Sequence, residues 1–407
     1  LKTIDEEQKG LTSQAIVYPE IPNSNLGVIS YTSGTTGFSK GVMLSLNSLV
    51  ANIDFGRNNI GLKPKDRVVS FLPLAHAYGA AFEFLLPFSL GCHITFLTKT
   101  PSPKIILQAF QEIKPRLVLA VPLIIEKIYK KQILPILSRP AMKILINVPF
   151  LKNKIYQKIN AKLTDVFGGN FLEIVIGGAP LNKEVEDFLR KINFRYTIGY
   201  GMTECGPLIS YIGWQKIKAG SCGVILPTLE IKIDSKNPET EAGQILVRGE
   251  NVMEGYYKNE EATQNTIMDG WLHTGDLGII DCDGFIFIRG RSKSMILGPS
   301  GQNIYPEEIE ARFNNLPFIT ESLIIEKDSR LIALVYPDLD AADVAKLVTA
   351  DIETILEKHR VEVNKNLPAF SQIAKIRLYP EEFEKTPKKS IKRFLYQISE
   401  NELTVQG

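Results

Sequence analysis

Short apolar runs alternating with helix-like stretches are the feature that most narrows what this 407-residue chain can become. LGVISYTS (26–33), DRVVSFLP (66–73), CHITFLT (92–98), RLVLAVP (116–122) and FLEIVIGG (171–178) read as strands, and stretches such as LNKEVEDFLRKI (181–192) read as the helices between them. That alternation predicts an α/β architecture with a largely parallel sheet. From about residue 220 the pattern changes. GVILPTLEIKID, GQILVRG and GFIFIRG have period 2 and are joined by Gly- and Asn-rich turns, so a β-rich subdomain is predicted. Beyond GRSKS (290–294) come a helix at PEEIEARFNN (306–315), two strands in ESLIIEKDSRLIALVYP (321–337) with a turn at Asp328-Ser329, and a long helix over 341–365. These make a small α+β domain. The predicted organisation is therefore an α/β part at 1–219, a β-rich subdomain of the same large domain at 220–293, and a small mobile α+β domain at 294–407.

Composition removes several function classes. A chain 44% hydrophobic and 23% charged is neither disordered nor collagen-like, and a net charge of +2 gives no overall attraction to nucleic acid. Cys92, Cys205, Cys222 and Cys282 form no CxxC pair and read as buried thiols in a reducing cytosol. No apolar run reaches 18 residues, and 77–92, with Glu83 and Pro87, reads as a core segment. A cytoplasmic protein is expected. One local excess stands out: nine Lys/Arg and one acid lie between 123 and 162, interleaved with apolar residues. Such a stretch is either a solvated helix face or a contact with an anionic membrane surface or phosphorylated ligand.

The strongest chemical signal is YTSGTTGFSKGVMLS (31–45), directly after an apolar strand. A loop of Ser, Thr and Gly turns backbone N–H groups and hydroxyls toward one point, as phosphate binding requires, and Lys40 adds a charge. It is not a Walker A loop, because Ser39-Lys40-Gly41 replaces Gly-Lys-Ser/Thr. FLPLAHAYG (71–79), IGGAPL (176–181), YGMTECGP (200–207), DGWLHTGDLG (269–278) and GRSKSMILGPSGQNIYPEEIE (290–310) follow.

These strings, in this order, resemble the signature motifs of the adenylate-forming superfamily: acyl-CoA synthetases, luciferases and adenylation domains. DGWLHTGDLG and VPLIIEKIYKK (121–131) are similar to its long-chain fatty-acid–CoA ligase branch. The resemblance implies ATP, Mg²⁺ and coenzyme A as cofactors and a fatty acid as substrate. It implies that Thr32, Ser33, Gly34, Thr35, Thr36, Gly37 and Lys40 hold the β- and γ-phosphates. Thr32 and Glu204 would ligate Mg²⁺, an oxygen-seeking ion that shares its ligands with phosphate. Thr203 would hydrogen-bond the α-phosphate, and Tyr200, followed by Gly201, would stack on adenine beside Gly178 and Ala179. Asp276 would accept the ribose hydroxyls with Arg291 beside it, and His76 would lie near the substrate carboxylate. A hinge at Ser294 and a pantetheine tunnel lined around Gly301 complete the implied site.

The chain departs from that pattern in two places. Where relatives carry a C-terminal catalytic Lys in a string like KTxxGKIxR, EKTPKKSIKR (384–393) puts Ser390 in that register, with Lys389 one residue earlier. Lys389 is assigned the role through a local shift of the loop; a solvated basic surface is the rival reading. Relatives also carry roughly 150 residues before the phosphate loop where this chain has thirty, so the N-terminal part of the large domain is expected to be missing. The expected function is a long-chain acyl-CoA synthetase working in the cytoplasm, with peripheral contact at the inner membrane face through 123–162. The alternatives are an acyl-AMP or acyl-carrier-protein ligase and a non-catalytic nucleotide- or acyl-adenylate-binding protein.

Overall fold

The computed structural model describes residues 20–33, 39–98, 101–298, 302–328, 330–385 and 391–396. Its centre is a five-stranded, all-parallel sheet in the spatial order His93–Phe96, Arg67–Ser70, Leu117–Ala120, Glu173–Ile176, Tyr196–Ile198. Every residue of Leu117–Ala120 and Glu173–Ile176 is buried, which is why LVLA and, after the buried Glu173, IVI read as apolar runs. Successive side chains leave a strand on opposite faces, and here they serve two cores. Val68, Leu117, Leu119 and Val175 face one; Val69, Val118, Ala120, Ile174 and Ile176 face the other. The second core is built around Phe110, Phe167, Phe171 and Phe194, whose rings meet at 5.7–6.2 Å between centroids. Burying each such ring contributes about 1.5–3 kcal/mol.

The first strand departs from expectation. Leu26–Ser33 does not join the parallel sheet but pairs antiparallel with Ser39–Ser45, and Gly255–Tyr256 adds to the other edge of Ser39–Ser45. Only residues 34–38 separate the first two strands, too few for the crossover that a parallel pairing needs. The segment 77–92 is helical as far as Ser89, running through Ala77–Gly79, Ala80–Leu85 and Leu86–Ser89, with Phe82 and Leu86 buried.

An antiparallel sheet follows, ordered Leu229–Asp234, Gly243–Gly249, Trp271–Ile280, Ile267–Met268, with Ile286–Arg291 also on Trp271–Ile280. Its Ile233, Ile245, Val247, Leu272 and Ile286 belong to the same core as Leu117 and Val175. Strands on both sides of residue 220 therefore share one hydrophobic interior. The C-terminal region has its own core, including Ile309, Phe313, Ile324, Val335, Ile352 and Leu356, around Ile319–Lys327, Arg330–Pro337 and Ile373–Leu378. The helix expected over 341–365 is two helices, Leu339–Val344 and Thr349–Lys365. Lys346 between them takes φ +55°, which ends the first, and the Asp351 carboxylate accepts from Val348 N at 3.0 Å to start the second. Among the described residues no helix is long and apolar enough to cross a membrane, and all four cysteines are free thiols.

Candidate active site

The hairpin register brings Thr32 opposite Lys40 and Ser33 opposite Ser39, so both ends of the Ser/Thr/Gly loop are fixed by a ladder. Gly34, Thr35, Thr36 and Gly37 lie outside the described residues, as does the Ser33 side chain. Lys40 Nζ sits 4.5 Å from the centre of the Tyr256 ring, a cation–π contact. The hydroxyl of the same tyrosine donates to Glu204 Oε1 at 2.9 Å. Burial and the neighbouring Glu204 hold the Tyr256 hydroxyl above the ordinary phenol range, so it stays a donor. Tyr256 thus brings together a cation from one motif and a carboxylate from another.

Glu204 and Thr203 are buried on a 3₁₀ turn, Thr203–Cys205, that follows the short strand Tyr200–Gly201. Asn52 holds this turn: its Oδ1 accepts from Leu208 N at 2.8 Å and its Nδ2 donates to Cys205 O at 3.1 Å. Met253 N donates to Glu204 O, tying the turn to the strand that carries Tyr256. Gly201 is a packing requirement. A Cβ there would lie 2.2 Å from Pro207 O, so no other residue fits that approach.

Asp276 lies within the long strand Trp271–Ile280 and is 5% exposed. Tyr200 Oη donates to its Oδ2 at 2.8 Å, and Arg291 Nε sits 2.9 Å from its Oδ1. The ion pair follows from register, because Asp276 and Arg291 face one another across paired strands. Burial raises the Asp276 pKa, while Arg291 and the Tyr200 hydroxyl oppose that rise. A carboxylate offers about four acceptor positions, so two donors leave room for ribose hydroxyls.

His76 is half-buried at the head of Ala77–Gly79, with its N–H donating to Pro73 O at 3.0 Å. The segment before it is held by Glu83, whose Oε2 accepts from Phe71 N and Leu72 N, both at 2.8 Å. Burial pushes the Glu83 carboxyl up to about 7. Tyr78 Oη donates to Val175 O, and its ring lies 3.4 Å from where a Cβ on Gly177 would be, which sets the His76 segment against the Gly178–Ala179 loop. Gly178, at φ +88°, and Ala179 are exposed there.

Lys389 and Gly301 lie outside the described residues. The residues on either side of 386–390 are tied down. Lys385 bridges to Ile391, and the Lys385 ammonium pairs with Glu321 at 2.7 Å. Arg393 pairs through both terminal nitrogens with the buried Glu310 carboxylate, at 2.8 Å for Nη1–Oε1. Glu310 also accepts from Ile324 N at 2.7 Å.

The oxygen donors of Glu204 and Thr32 are of the type Mg²⁺ takes, and among the described residues no cluster of three His, Cys, Asp or Glu exists to cage a metal alone. Tyr256, Asn52 and Glu83 were not singled out as site residues by sequence. Tyr256 sits in a two-residue strand, too short to show a period, and Asn52 reaches a partner 156 residues away.

Comparison with known proteins agrees with this geometry. The family model described as "AMP-binding enzyme" matches residues 2–257. The long-chain-fatty-acid–CoA ligase of Salmonella typhimurium is 34% identical over 303 residues, covering 72% of this chain and 49% of its own length. Long chain acyl-CoA synthetase 3 of Arabidopsis thaliana is 30% identical, covering 92% of this chain and 64% of its own. The chain therefore spans about half to two thirds of these relatives. In fold it matches the O-succinylbenzoate coenzyme A synthetase of Bacillus subtilis, solved with ATP and magnesium ion, at TM-score 0.73 and 23% identity, covering 96% of this chain and 74% of that one. It matches ATP-bound MatB from Rhodopseudomonas palustris at TM-score 0.73 and 23% identity, covering 97% and 72%. With the family model matched over more than half of this chain, the chain belongs to the AMP-binding enzymes, the adenylate-forming group.

Proposed function

We propose that the protein is an ATP-dependent acid–thiol ligase that activates a fatty acid as acyl-AMP and passes the acyl group to coenzyme A. The observation that carries this reading is the meeting of Lys40 and Glu204 on Tyr256. Joining a carboxylate to the α-phosphate of ATP brings two anions together, and cations and oriented donors must offset their repulsion. Lys40 and the backbone of 32–37 would hold the β- and γ-phosphates, Thr203 the α-phosphate, and Asp276 with Arg291 the ribose. Tyr200 and Gly201 would meet the adenine, with Gly178 and Ala179 on its other side. Glu204 and Thr32 would hold Mg²⁺, which neutralises charge on the phosphate oxygens when bound.

In the first step a carboxylate oxygen, oriented by His76, bonds to the α-phosphorus as pyrophosphate leaves. In the second, the thiolate sulfur bonds to the acyl carbon as AMP leaves. Lys389 supplies the C-terminal cation for the first step, in a segment flanked by the bridge of Lys385 to Ile391 and by the Arg393–Glu310 pair. The large unit comprises 1–219 and 220–293. The small unit, 294–407, turns about Ser294 between steps, bringing Gly301 to the pantetheine arm. The resemblance to long-chain ligases supports a fatty-acid substrate, and the same reading puts the enzyme in the cytoplasm.

The test is fatty-acid-dependent ATP–pyrophosphate exchange with acids from acetate to palmitate, followed by a product assay with and without coenzyme A. Exchange peaking with long acids and a strict need for coenzyme A are expected. ATP binding without exchange would replace the ligase with a nucleotide-binding protein. Product formed only with acyl carrier protein would change the acceptor.

A further inference from the structure

The two helices Pro140–Asn147 and Pro149–Val166 use their apolar residues in an unusual way. From Leu163 onward the second helix is packed against the core, with Phe167 fully buried just beyond it. Ahead of Leu163 the half-buried Tyr156 and Ile159 also pack on this core, whereas residues 150–155 and the helix before them do not. Among the described side chains from 138 to 155 none is buried. Yet Ile144 is 68% exposed and Phe150 69%, and Leu145, Val148 and Leu151 are exposed beside them, all straddling the junction between the two helices. Over 139–162 the chain carries six basic residues, Arg139, Lys143, Lys152, Lys154, Lys158 and Lys162, and no acid. Lys154 Nζ lies 4.5 Å from the Phe150 ring centre and Lys152 Nζ 5.8 Å from that of Tyr156, so ammonium groups flank the apolar tip. Among the described residues none of Lys152, Lys154, Lys158 and Lys162 makes an ion pair.

We propose that this pair of helices is a docking face for an anionic lipid bilayer, with Ile144, Leu145, Val148, Phe150 and Leu151 entering the acyl boundary and Lys152, Lys154 and Lys158 at the lipid phosphates. The proposal rests on the fatty-acid reading above and names the surface that would bring the enzyme to its substrate. An apolar tip ringed by unpaired cations suits an interface that is apolar within and anionic at its rim. A second copy of the chain would bring two cationic surfaces together, and a nucleic acid would leave the apolar tip unused.

The test is binding to phosphatidylcholine vesicles with and without phosphatidylglycerol, followed by co-sedimentation. The wild-type chain should bind the anionic vesicles at least tenfold more tightly than the neutral ones. The triple variant K152E/K154E/K158E should lose at least tenfold of that affinity. F150S should weaken it several-fold without changing the net charge. Circular dichroism and ATP binding of both variants should match wild type. Unchanged vesicle affinity in both variants, or no binding by wild type, overturns the proposal. So does loss of self-association alone, which assigns the face to a second copy, or loss of binding to polyglutamate alone, which assigns it to an acidic protein. Vesicle binding needs no catalysis, so a chain that docks but gives no pyrophosphate exchange overturns the ligase reading and leaves the docking face standing.

Discussion

Glu83 offers a perturbation whose sign changes with pH. It is 1% exposed, its Oε2 accepts two backbone N–H groups of the His76 segment, and its Oε1 is buried without a hydrogen-bond partner. Burial lifts its carboxyl from 4.5 to about 7 in the folded chain. An acid with a raised folded pKa is fully tolerated below its unfolded value, and stability is lost as pH rises through the folded one. Here the window runs from pH 4.5 to about 7. Between pH 5 and pH 8 this group alone should remove about 2–3 kcal/mol, at about 1.4 kcal/mol for each pH unit over which the folded state holds the extra proton. In Glu83→Gln the amide oxygen keeps the two N–H bonds and no charge forms, while the new NH₂ sits where Oε1 lacked a partner, a penalty of about 1 kcal/mol. The variant should therefore be slightly less stable than wild type at pH 5 and more stable by about 1–2 kcal/mol at pH 8, taking the charge relief and the amide penalty together. Urea unfolding at both pH values reads the difference directly. A stability difference that does not move between pH 5 and pH 8 would refute the argument, because it would mean that Glu83 is ionised throughout.

Three further outcomes follow from the geometry. Arg393→Met leaves the buried Glu310 carboxylate without its bidentate partner and should cost about 3 kcal/mol in urea unfolding of the C-terminal region. Asp276→Asn keeps the shape but loses the charge facing Arg291; ATP affinity measured by calorimetry should fall by about tenfold to a hundredfold, the weight of one or two hydrogen bonds to a charged group. Gly201→Ala drives a Cβ into Pro207 O and should abolish ATP binding, whereas Gly213→Ala, at an ordinary φ of −61° and with only the Gln215 side-chain oxygen near its added Cβ, at 3.5 Å, should bind ATP normally.

What the sequence makes legible is what neighbouring residues decide. GQILVRG alternates, and Gly243–Gly249 is the observed strand. LNKEVEDFLRKI has a helical period, and Lys183–Lys191 is a helix capped by Asn182, whose side chain accepts from Glu184 N. Tyr200, Thr203, Glu204 and Asp276 could be singled out because their motifs are contiguous strings, and the structure joins Tyr200 to Asp276 and, through Tyr256, Glu204 to Lys40. The pairing direction of Leu26–Ser33 depends on a partner and on loop length rather than on its own composition. The break at Lys346 rests on one left-handed residue and an aspartate cap inside a pattern that is otherwise helical. Glu83 read as a blemish in an apolar stretch; its use appears only once Phe71 and Leu72 fold back over it.

Arg291 belongs to two mechanical parts at once. Its guanidinium is fastened to Asp276, and its carbonyl accepts from both Ser294 N at 3.1 Å and Met295 N at 3.0 Å, the first turn of the chain leaving for the C-terminal region. The rotation about Ser294 proposed above would have to release two backbone bonds from the same residue whose side chain pairs with Asp276. In that proposal the pair with Asp276 would anchor Arg291 to the large unit while its carbonyl let go of the departing chain, so the joint would carry its own brake.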